Sequence, residues 1–521
     1  MEEPYAYAII SLIRRIIAQQ PSAMARISLR LLLVLIPATV LYLTAIHLNI
    51  QHRGLPAIIR NKVIPPPPLP PILLPKHPLF KPDLDKEAPA PPVVENFPLA
   101  QAAHSAADLP PIPSWNRPPE KHVPEHTPLF IGFTRNWRIL QQAVVGYITA
   151  GWPPEDIYVL ENTGTMDANA NGQLSLQNPF FLNHTRLHML GVNVITTPTL
   201  LTFAQLQNFM IHTALSKKWD TYFWSHMDVG ILSEEQIEPF KSIYEGAVDA
   251  LRNTTKPDYG KWAQALFAYD RLALVNTKAY TSVGGWDTQI PYYGSDCDMH
   301  ERLDMEGYRR DEFRIGQVSD VGTSVDDLIV YYRKTRSPEP SFINPNEPPP
   351  LGAAQAARER MRIAEEEVAK QEASRKHRLA GEDKRSPDAV HLWDADDQDA
   401  AWPEHERGDE SYMKLLRTLE AMDRAKNDPN VVRNTWQHRQ TGGEGEPYYK
   451  DPRGFEKALW LWVDQGRNVF AEKWGHRDCD LIASGLRPEH AWKVDKDWVV
   501  QEKLTRERKE KEKADGGMFR W

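Results

Sequence analysis

The sequence predicts an α/β domain with a mostly parallel mixed sheet between residues 129 and 335. Short apolar runs alternate there with stretches of helical periodicity, which is the pattern of strands joined by crossover helices. The run LFIGF begins the pattern, a helical stretch follows it, and IYVLENTG (157–164) predicts a second strand that ends in a polar turn. The helical spacing is carried by Leu140, Val144 and Ile148.

Three further elements continue the same alternation. VNVIT (192–196) predicts a third strand, residues 203–217 predict a helix, and TYFW (221–224) predicts the next strand. Gly151 and the proline pair after it stop the first helix, as these residues commonly do. The order of the elements therefore predicts βα units, with a parallel sheet at the centre of the domain.

Length, charge and cysteine content exclude several classes of protein. The chain has 521 residues, of which 41% are hydrophobic, enough for a substantial core. Its 62 basic and 70 acidic residues are spread along the chain, which argues against nucleic-acid binding as the main task. The two cysteines, Cys297 and Cys479, cannot build a disulfide scaffold or a cysteine-rich zinc site, and whether they pair is left open.

An apolar segment near the N-terminus predicts a membrane anchor. Residues 31–50 carry no formal charge and would span a hydrocarbon core of roughly 30 Å as a helix. A cleavable signal and a buried helix of a soluble domain are the alternatives. The arginines before it modestly favour a cytoplasmic tail at residues 1–30, with the rest in the lumen of the Golgi or another secretory compartment. Sequons begin at Asn183 and Asn253.

Composition divides the remainder of the chain. About half of its 43 prolines fall within residues 51–128, which predicts a semi-rigid stem, or else a docking site for proline-recognising modules. Residues 336–410 predict a linker and a charged helical insert, residues 411–500 a helical C-terminal region, and residues 501–521 a charged tail.

Polar residues stand directly after the predicted strands. Thr134, Arg135 and Asn136 follow the first strand, Glu161 lies at the end of the second, and a Ser-His-Met-Asp turn follows the strand at 221–224. Ligands of open α/β sheets bind beyond the carboxyl ends of the strands. Any one of these segments alone would be read as ordinary turn chemistry, but together they predict a binding cleft.

The turn after the fourth strand predicts a metal site. His226 and Asp228 are two residues apart, so in extended chain both side chains project to the same side. A carboxylate there suits a hard cation such as Mn²⁺ or Mg²⁺. The alternative is that His226 is a simple turn residue.

A second segment carries the most specific pattern. It contains Gly284-Gly285-Trp286-Asp287, then Ser295-Asp296-Cys297-Asp298, then Arg302-Leu303. With the strand-end residues, it resembles the GGFDE … GEDxDLxxRL segment of the GT-A fold (Rossmann-like) nucleotide-sugar glycosyltransferases, family 2-like, of the type II Golgi membrane kind. The short run at 473–475 resembles an element of some fungal Golgi transferases.

The resemblance implies a role for each candidate residue. Asp296 takes the place of the catalytic base, which removes the proton of an acceptor hydroxyl. Asp228 takes that of the last carboxylate of a DxD motif, with His226 replacing the first aspartate and Asp320 a candidate for the further metal ligand. The residues assigned to the nucleotide-sugar donor are Thr134, Arg135, Asn136 and Glu161, and those assigned to the acceptor are Trp286 and Asp298.

Other roles remain open for three of these residues. Asp296 and Asp298 could cap a helix that begins near Met299, which we favour for Asp298. Trp286 could equally be a packing residue.

The predicted function is the metal-dependent transfer of a sugar from a UDP- or GDP-sugar to a glycan or glycoconjugate acceptor. Inversion of the anomeric configuration is implied by the resemblance alone. The alternative is an inactive membrane-anchored sugar-binding or scaffold protein with the same fold. A nucleotidyltransferase would need a glycine-rich basic loop after the first strand, and GFTRNW is not one.

Overall fold

The computed structural model describes residues 92–347, 401–430 and 452–515, single positions between 352 and 373, and residue 446. All of them belong to the compact unit Ala88–Trp521. The predicted anchor at 31–50 and the first part of the predicted stem lie outside the described residues. Within the described ranges, no helix combines the length and the apolar character needed to cross a bilayer.

A seven-stranded mixed sheet organises the domain. Its strand order is β3-β2-β1-β4-β7-β6-β8, and β5 pairs with β9 in a separate two-stranded sheet. Four neighbouring pairs of the large sheet are parallel, and β7 runs antiparallel to both of its neighbours. The strands are β1 Leu129–Phe133, β2 Ile157–Glu161, β3 Asn193–Thr196, β4 Thr221–Ser225, β5 Val229–Leu232, β6 Trp262–Phe267, β7 Leu272–Asn276, β8 Arg309–Glu312 and β9 Gln317–Asp320.

Helices cover the sheet and extend beyond it. The α-helices are α1 Pro98–Gln101, α2 Trp137–Thr149, α3 Met166–Ala170, α4 His184–Met189, α5 Phe203–Lys217, α6 Ile243–Thr254, α7 Thr277–Ser282, α8 Ser295–Met305, α9 Glu410–Lys426, α10 Pro452–Trp474 and α11 Asp497–Asp515. Short 3₁₀ helices span Ala106–Asp108, Ser114–Asn116, Pro154–Asp156, Tyr269–Arg271, Leu328–Tyr332 and Pro488–His490.

The predicted α/β class with a mostly parallel mixed sheet is confirmed. The helix predicted at 203–217 has those bounds, because Thr202 and Gln205 form a capping box and Lys218 ends the helix in the left-handed conformation. Strand order reverses at β1, whose neighbours are β2 on one side and β4 on the other. The crevice beyond the carboxyl ends of these strands is where such sheets bind ligands.

The end of the predicted stem belongs to the folded domain. Phe97 and Ala100 are buried in the main core, together with Leu109. Pro98 is accommodated because it stands in the first turn of α1, where a helix has no use for a backbone N–H. The prediction of an extended stem as far as residue 128 was therefore wrong for residues 92–128.

The C-terminal helices pack against the α/β domain. Helix α9 buries Tyr412, Leu415, Leu419 and Met422 in the same core as β5. Gly230 of β5 permits this close approach, because a Cβ atom there would lie 2.7 Å from a Leu419 methyl carbon. A disulfide between Cys297 and Cys479 joins α8 to the segment that follows α10, which answers the question that the sequence left open.

Candidate active site

The site is built where β4, β5 and β9 meet. His226 and Asp228 lie in the turn between β4 and β5, and the Asp228 carbonyl accepts a hydrogen bond from Val321 N–H at 2.9 Å. The antiparallel register of β5 and β9 pairs Val229 with Asp320. This pairing brings the carboxylates of Asp228 and Asp320, 92 positions apart in sequence, to the same ammonium group.

That ammonium belongs to Lys426, the last residue of α9. Its Nζ donates to Asp228 Oδ2 at 2.5 Å and to Asp320 Oδ1 at 2.6 Å. The side chains of Lys426 and Asp320 are each 1% exposed, and that of Asp228 is 18% exposed. A buried lysine between two carboxylates is satisfied in charge and hydrogen bonding, which is the condition for burying such a group.

A second side chain of α9 holds the helix in register. Asp423, one turn before Lys426, accepts hydrogen bonds on Oδ2 from the backbone N–H of Asp320 at 2.8 Å and from Arg271 Nη1 at 3.1 Å. Residues three apart on a helix share a face, so α9 presents both charged groups to the same site. The position of the lysine is therefore fixed by contacts to both β9 and the segment before β7.

Electrostatics at the site follow from these pairings. Burial would raise the pKa of Asp228, but the charges of Lys426 and His226 outweigh it and lower that pKa to about 2. Burial would lower the pKa of His226, but pairing with Asp270 and the charge of Asp228 raise it above the usual value. The His226 ring is 3.7 Å from Asp228 Oδ1 through Nδ1 and 3.7 Å from Asp270 Oδ2 through Nε2.

The two carboxylates do not fit the predicted Mn²⁺ or Mg²⁺ in this arrangement. A divalent ion bound by them would lie about 2.0–2.6 Å from the oxygens that Lys426 already contacts. The ion would then lie next to a buried ammonium, and the repulsion between the two cations opposes its binding. In the described part of the chain, potential metal ligands lie within 4.8 Å of one another in two other places, and neither of these two clusters includes Asp228. These clusters are His122, His126 and Asp156, and His476, Asp478 and Asp480.

Asp296 lies in the first turn of α8. Burial raises the pKa of Asp296, the backbone N–H of Cys297 partly offsets this, and the charge of Asp270 raises the pKa further. Asp270 thus influences both Asp296 and His226. The two segments singled out in the sequence are therefore linked electrostatically through a carboxylate to which the sequence patterns gave no role.

The predicted start of α8 was wrong. The helix begins at Ser295 rather than near Met299, its N-cap is Gly294 with φ of 92°, and no side chain caps it. Glycine at this position permits the left-handed backbone that lets the helix begin four residues earlier. Neither Asp296 nor Asp298 therefore acts as an N-cap.

Asp298 is a buried partner for basic groups and is not accessible to an acceptor. Its side chain is 0% exposed and pairs with Arg302 at 2.8 Å and with Lys473 at 2.6 Å. It also accepts a hydrogen bond from Trp474 Nε1 at 2.9 Å. The assignment of Asp298 to acceptor binding was wrong, because its oxygens are directed into the contact between α8 and α10.

Trp286 is a packing residue. It lies in the second core cluster, edge-on to Phe203 at 5.4 Å, and its backbone is held by Asn208. The packing alternative raised for this residue is the one that the structure supports. Tyr292, which follows nearby, stacks on Trp462 of α10 with ring centroids 5.9 Å apart.

Glu161 is buried at the carboxyl end of β2. Its Oε1 accepts from Thr163 at 3.1 Å and Asn169 at 2.7 Å, and its Oε2 lies 2.7 Å from His184 Nε2. The carboxylate therefore joins the loop after β2 to α3 and α4. Contact of Glu161 with a nucleoside stays a prediction.

The segment after β1 places a buried guanidinium beside the crevice. Arg135 is 4% exposed, and its Nη1 has no hydrogen-bond partner within the described residues. Its guanidinium lies 4.9 Å from the Phe455 ring, and burial lowers its pKa to about 10. Asn136 adopts the left-handed conformation and Thr134 is partly exposed. A buried cation with an unused donor suits an anionic ligand.

Sequence reasoning missed Lys426, Asp423 and Asp270. Lys426 lies 198 positions after Asp228, so no local motif could connect them. A basic residue in the last turn of a helix is ordinary, because it complements the helix dipole. Asp270 follows β6 with no motif of its own, and only the fold reveals its pairing with His226 and its effect on Asp296.

Comparisons with known proteins add little to this picture. No protein-family model matches the chain, and no curated protein matches it. Among solved structures, a mannosyltransferase from Pyrobaculum calidifontis in complex with GDP-Man and Mn²⁺ is 12% identical, with 60% of this chain and 89% of that chain covered and a TM-score of 0.27. A putative glucose-1-phosphate thymidylyltransferase from Bacillus anthracis, in complex with a sucrose, is 10% identical. The match covers 37% of this chain and 89% of that chain, with a TM-score of 0.24. Likenesses this weak carry no argument about function, which must come from the site itself.

Proposed function

We propose that this protein transfers a sugar from a nucleotide-sugar donor to a glycan or glycoconjugate acceptor. The observation that carries the proposal is Asp270, which pairs with His226 at 3.7 Å and whose charge acts on Asp296. It supports one cleft in which the turn after β4 and the start of α8 act on the same substrates.

Asp296 is the proposed base. The acceptor hydroxyl oxygen attacks the anomeric carbon, the bond from that carbon to the diphosphate oxygen breaks, and its electron pair leaves with the nucleoside diphosphate. The hydroxyl proton passes to the Asp296 carboxylate. The raised pKa of Asp296 suits this role, because a more basic carboxylate is a better proton acceptor. Attack opposite the leaving group would invert the anomeric configuration.

Arg135 is the proposed contact for the donor diphosphate. Its unused Nη1 donor is buried beside the segment that follows β1, and a diphosphate oxygen would satisfy it. Thr134 and Asn136 flank it on the same segment. Glu161 keeps the neighbouring loop in place through its three side-chain contacts, whether or not it also touches the nucleoside.

The proposed setting is the lumen of the Golgi or another secretory compartment, with a single membrane anchor at residues 31–50. The Cys297–Cys479 disulfide supports this setting, because structural disulfides persist mainly in oxidising compartments.

The test is ligand-dependent thermal unfolding of the purified full-length chain with a panel of UDP- and GDP-sugars, followed by a transfer assay with the donor that binds. A true donor should raise the unfolding temperature, since binding only the folded state stabilises it. We expect Asp296→Asn to keep the donor-induced shift and to lose transfer by a factor of about 10² or more.

Asp304→Asn, at an aspartate of the same helix that pairs with Arg310, is the matched control for Asp296→Asn. Absence of any shift across the panel would contradict the proposal. Binding with no transfer, unchanged by Asp296→Asn, would favour the inactive sugar-binding or scaffold protein.

A further inference from the structure

We propose that the ammonium group of Lys426 takes the place of a divalent cation at this site, so that the donor binds without a metal. The part concerning the donor rests on the proposed function, whereas the part concerning the metal does not. The proposal replaces the Mn²⁺ that the sequence pattern predicted.

The geometry of Lys426 is that of a bound cation. Its Nζ bridges one oxygen of Asp228 and one of Asp320, at 2.5 and 2.6 Å. These are the same two carboxylates that the sequence assigned to metal binding. A metal ion bridging them would also need one oxygen from each, so it would compete with the ammonium for these carboxylates and be repelled by its charge.

The lysine is built into the fold and is not a surface side chain that happens to reach the site. Lys426 is 1% exposed, and Asp423 on the same face of α9 bonds to Arg271 and to the backbone of Asp320. Leu419, two turns earlier, packs against Gly230 beside Asp228. These contacts fix the turn of α9 that carries Lys426, so its ammonium can leave the carboxylates only by a change of side-chain rotamer inside a buried site.

A fixed ammonium can do part of the work of a metal ion. It carries three N–H donors, of which the two aspartates use two, and its charge offsets negative charge at the site. Charges held in place before reaction stabilise a developing anion without reorganisation. His226, 25% exposed and held between Asp228 and Asp270, is a second basic group at the mouth of the same cluster.

The decisive measurement is Mn²⁺ binding to the purified full-length chain, followed by electron paramagnetic resonance, in which bound and free Mn²⁺ are distinguished. We expect no equivalent of Mn²⁺ to bind at the Asp228 site of the wild-type protein. Lys426→Met keeps the length of the side chain but leaves two facing carboxylates without their cation. We expect this variant to gain one bound Mn²⁺, and Mn²⁺ to raise its unfolding temperature.

Two controls identify the site. Lys473→Met removes a buried lysine from between two other aspartates, but Arg302 still pairs with Asp298 there, so this variant should not gain a Mn²⁺ site. Adding Asp228→Asn to Lys426→Met should abolish the Mn²⁺ signal gained, because one of the two carboxylates is then neutral. A signal that survives Asp228→Asn would overturn the proposal, since the metal would then be bound elsewhere.

The wild-type protein gives an independent answer if Lys426→Met does not fold. One bound Mn²⁺ that is lost in Asp228→Asn would overturn the proposal directly. Donor-induced stabilisation measured in EDTA separates the two proposals: a shift that persists supports both, and a shift that requires added Mn²⁺ overturns only the metal-free site. No shift under either condition contradicts the proposed function and leaves the metal result to stand on its own.

Discussion

Two buried lysines near the C-terminal end of this chain make similar contacts in different surroundings. Each lysine lies near the end of a C-terminal helix and bridges two aspartates of the α/β domain. The Lys426 cluster consists of Lys426, Asp228 and Asp320, and the Lys473 cluster consists of Lys473, Asp287 and Asp298. The lysine–carboxylate distances are 2.5 and 2.6 Å in the first and 2.8 and 2.6 Å in the second.

The difference lies in what surrounds the carboxylates. In the Lys473 cluster, Asp298 is fully buried and has Arg302 and Trp474 as further partners, so the cluster joins α8 to α10. In the Lys426 cluster, Asp228 remains partly exposed beside His226. The same lysine–aspartate arrangement therefore serves packing in one place and lines the proposed active site in the other.

The largest expected effect is on stability, from Asp298→Ala. This substitution leaves Lys473 and Arg302 facing Asp287, and leaves the Trp474 N–H without its acceptor. Breaking a buried charge network in this way should cost about 3–5 kcal/mol of unfolding free energy, measured by denaturant titration.

Asp228→Ala is the matched comparison for Asp298→Ala. It leaves a balanced pair of Lys426 and Asp320, and its own side chain was partly hydrated, so the loss of unfolding free energy should be smaller. Equal losses at the two positions would remove the distinction between a packing cluster and a site cluster.

Lowering the pH should reduce the contribution of the Lys426 cluster to the unfolding free energy, by less than the loss expected for Asp298→Ala. The pKa of Asp228 is lowered to about 2 from an ordinary 3.8, so its contribution is fully present above pH 3.8 and is lost as pH falls towards 2. The linked contribution is about 2 kcal/mol. In Lys426→Met the pKa of Asp228 should rise to its ordinary value or above, because the lysine no longer opposes the effect of burial. The unfolding free energy should then fall less steeply between about pH 4 and pH 2.

Lys473→Met is again the comparison for the acid experiment. Burial would raise the pKa of Asp287, but Lys473 outweighs it and the pKa is lowered. In Lys473→Met the unfolding free energy should therefore also fall less steeply at acid pH, but the change should be smaller than in Lys426→Met. The reason is that Arg302 still neutralises Asp298. If Lys426→Met leaves the pH dependence of the unfolding free energy at acid pH unchanged, Lys426 does not control the charge of Asp228.

The contrast between the clusters also marks what the sequence could predict. The four strands and two long helices between 129 and 225 followed from hydrophobic periodicity, whereas the short helices α3 and α4 were not predicted. Helix α5 was bounded correctly because its capping box is local. His226, Asp228 and Asp296 could be singled out because each stands in a short, recognisable segment. Local pattern was sufficient wherever the determining contacts were close in sequence.

Local sequence pattern was insufficient where segments that are distant in sequence meet. The partner of Asp228 comes from 198 positions away, and the helix that carries it has no local sign of its target. The sequence suggested a helix cap or an acceptor contact for Asp298, because its actual partners, Lys473 and Trp474, lie on α10, far away in sequence. The positive φ of Gly294 likewise moved the start of α8 beyond what capping preferences predict.

The smallest expected effect tests how closely α10, which carries Lys473, is held against the domain. Gly466 lies in the middle of this helix, where glycine normally costs about 1 kcal/mol relative to alanine. A Cβ atom at 466, however, would lie 2.7 Å from the backbone carbonyl oxygen of Tyr293, which is too close to be accommodated without a shift.

Propensity and packing therefore oppose each other at Gly466. We expect Gly466→Ala to lower the unfolding free energy by about 1 kcal/mol. Overpacking typically costs roughly 1–3 kcal/mol, and the gain in helix propensity offsets part of this cost. Gln465→Ala, at the exposed neighbouring position, is the control and should change stability little. A gain in stability for Gly466→Ala would mean that α10 can move away from the loop before α8 at no cost. The Lys473 cluster would then have to hold this helix through its charged contacts and the nearby disulfide, without help from close backbone packing.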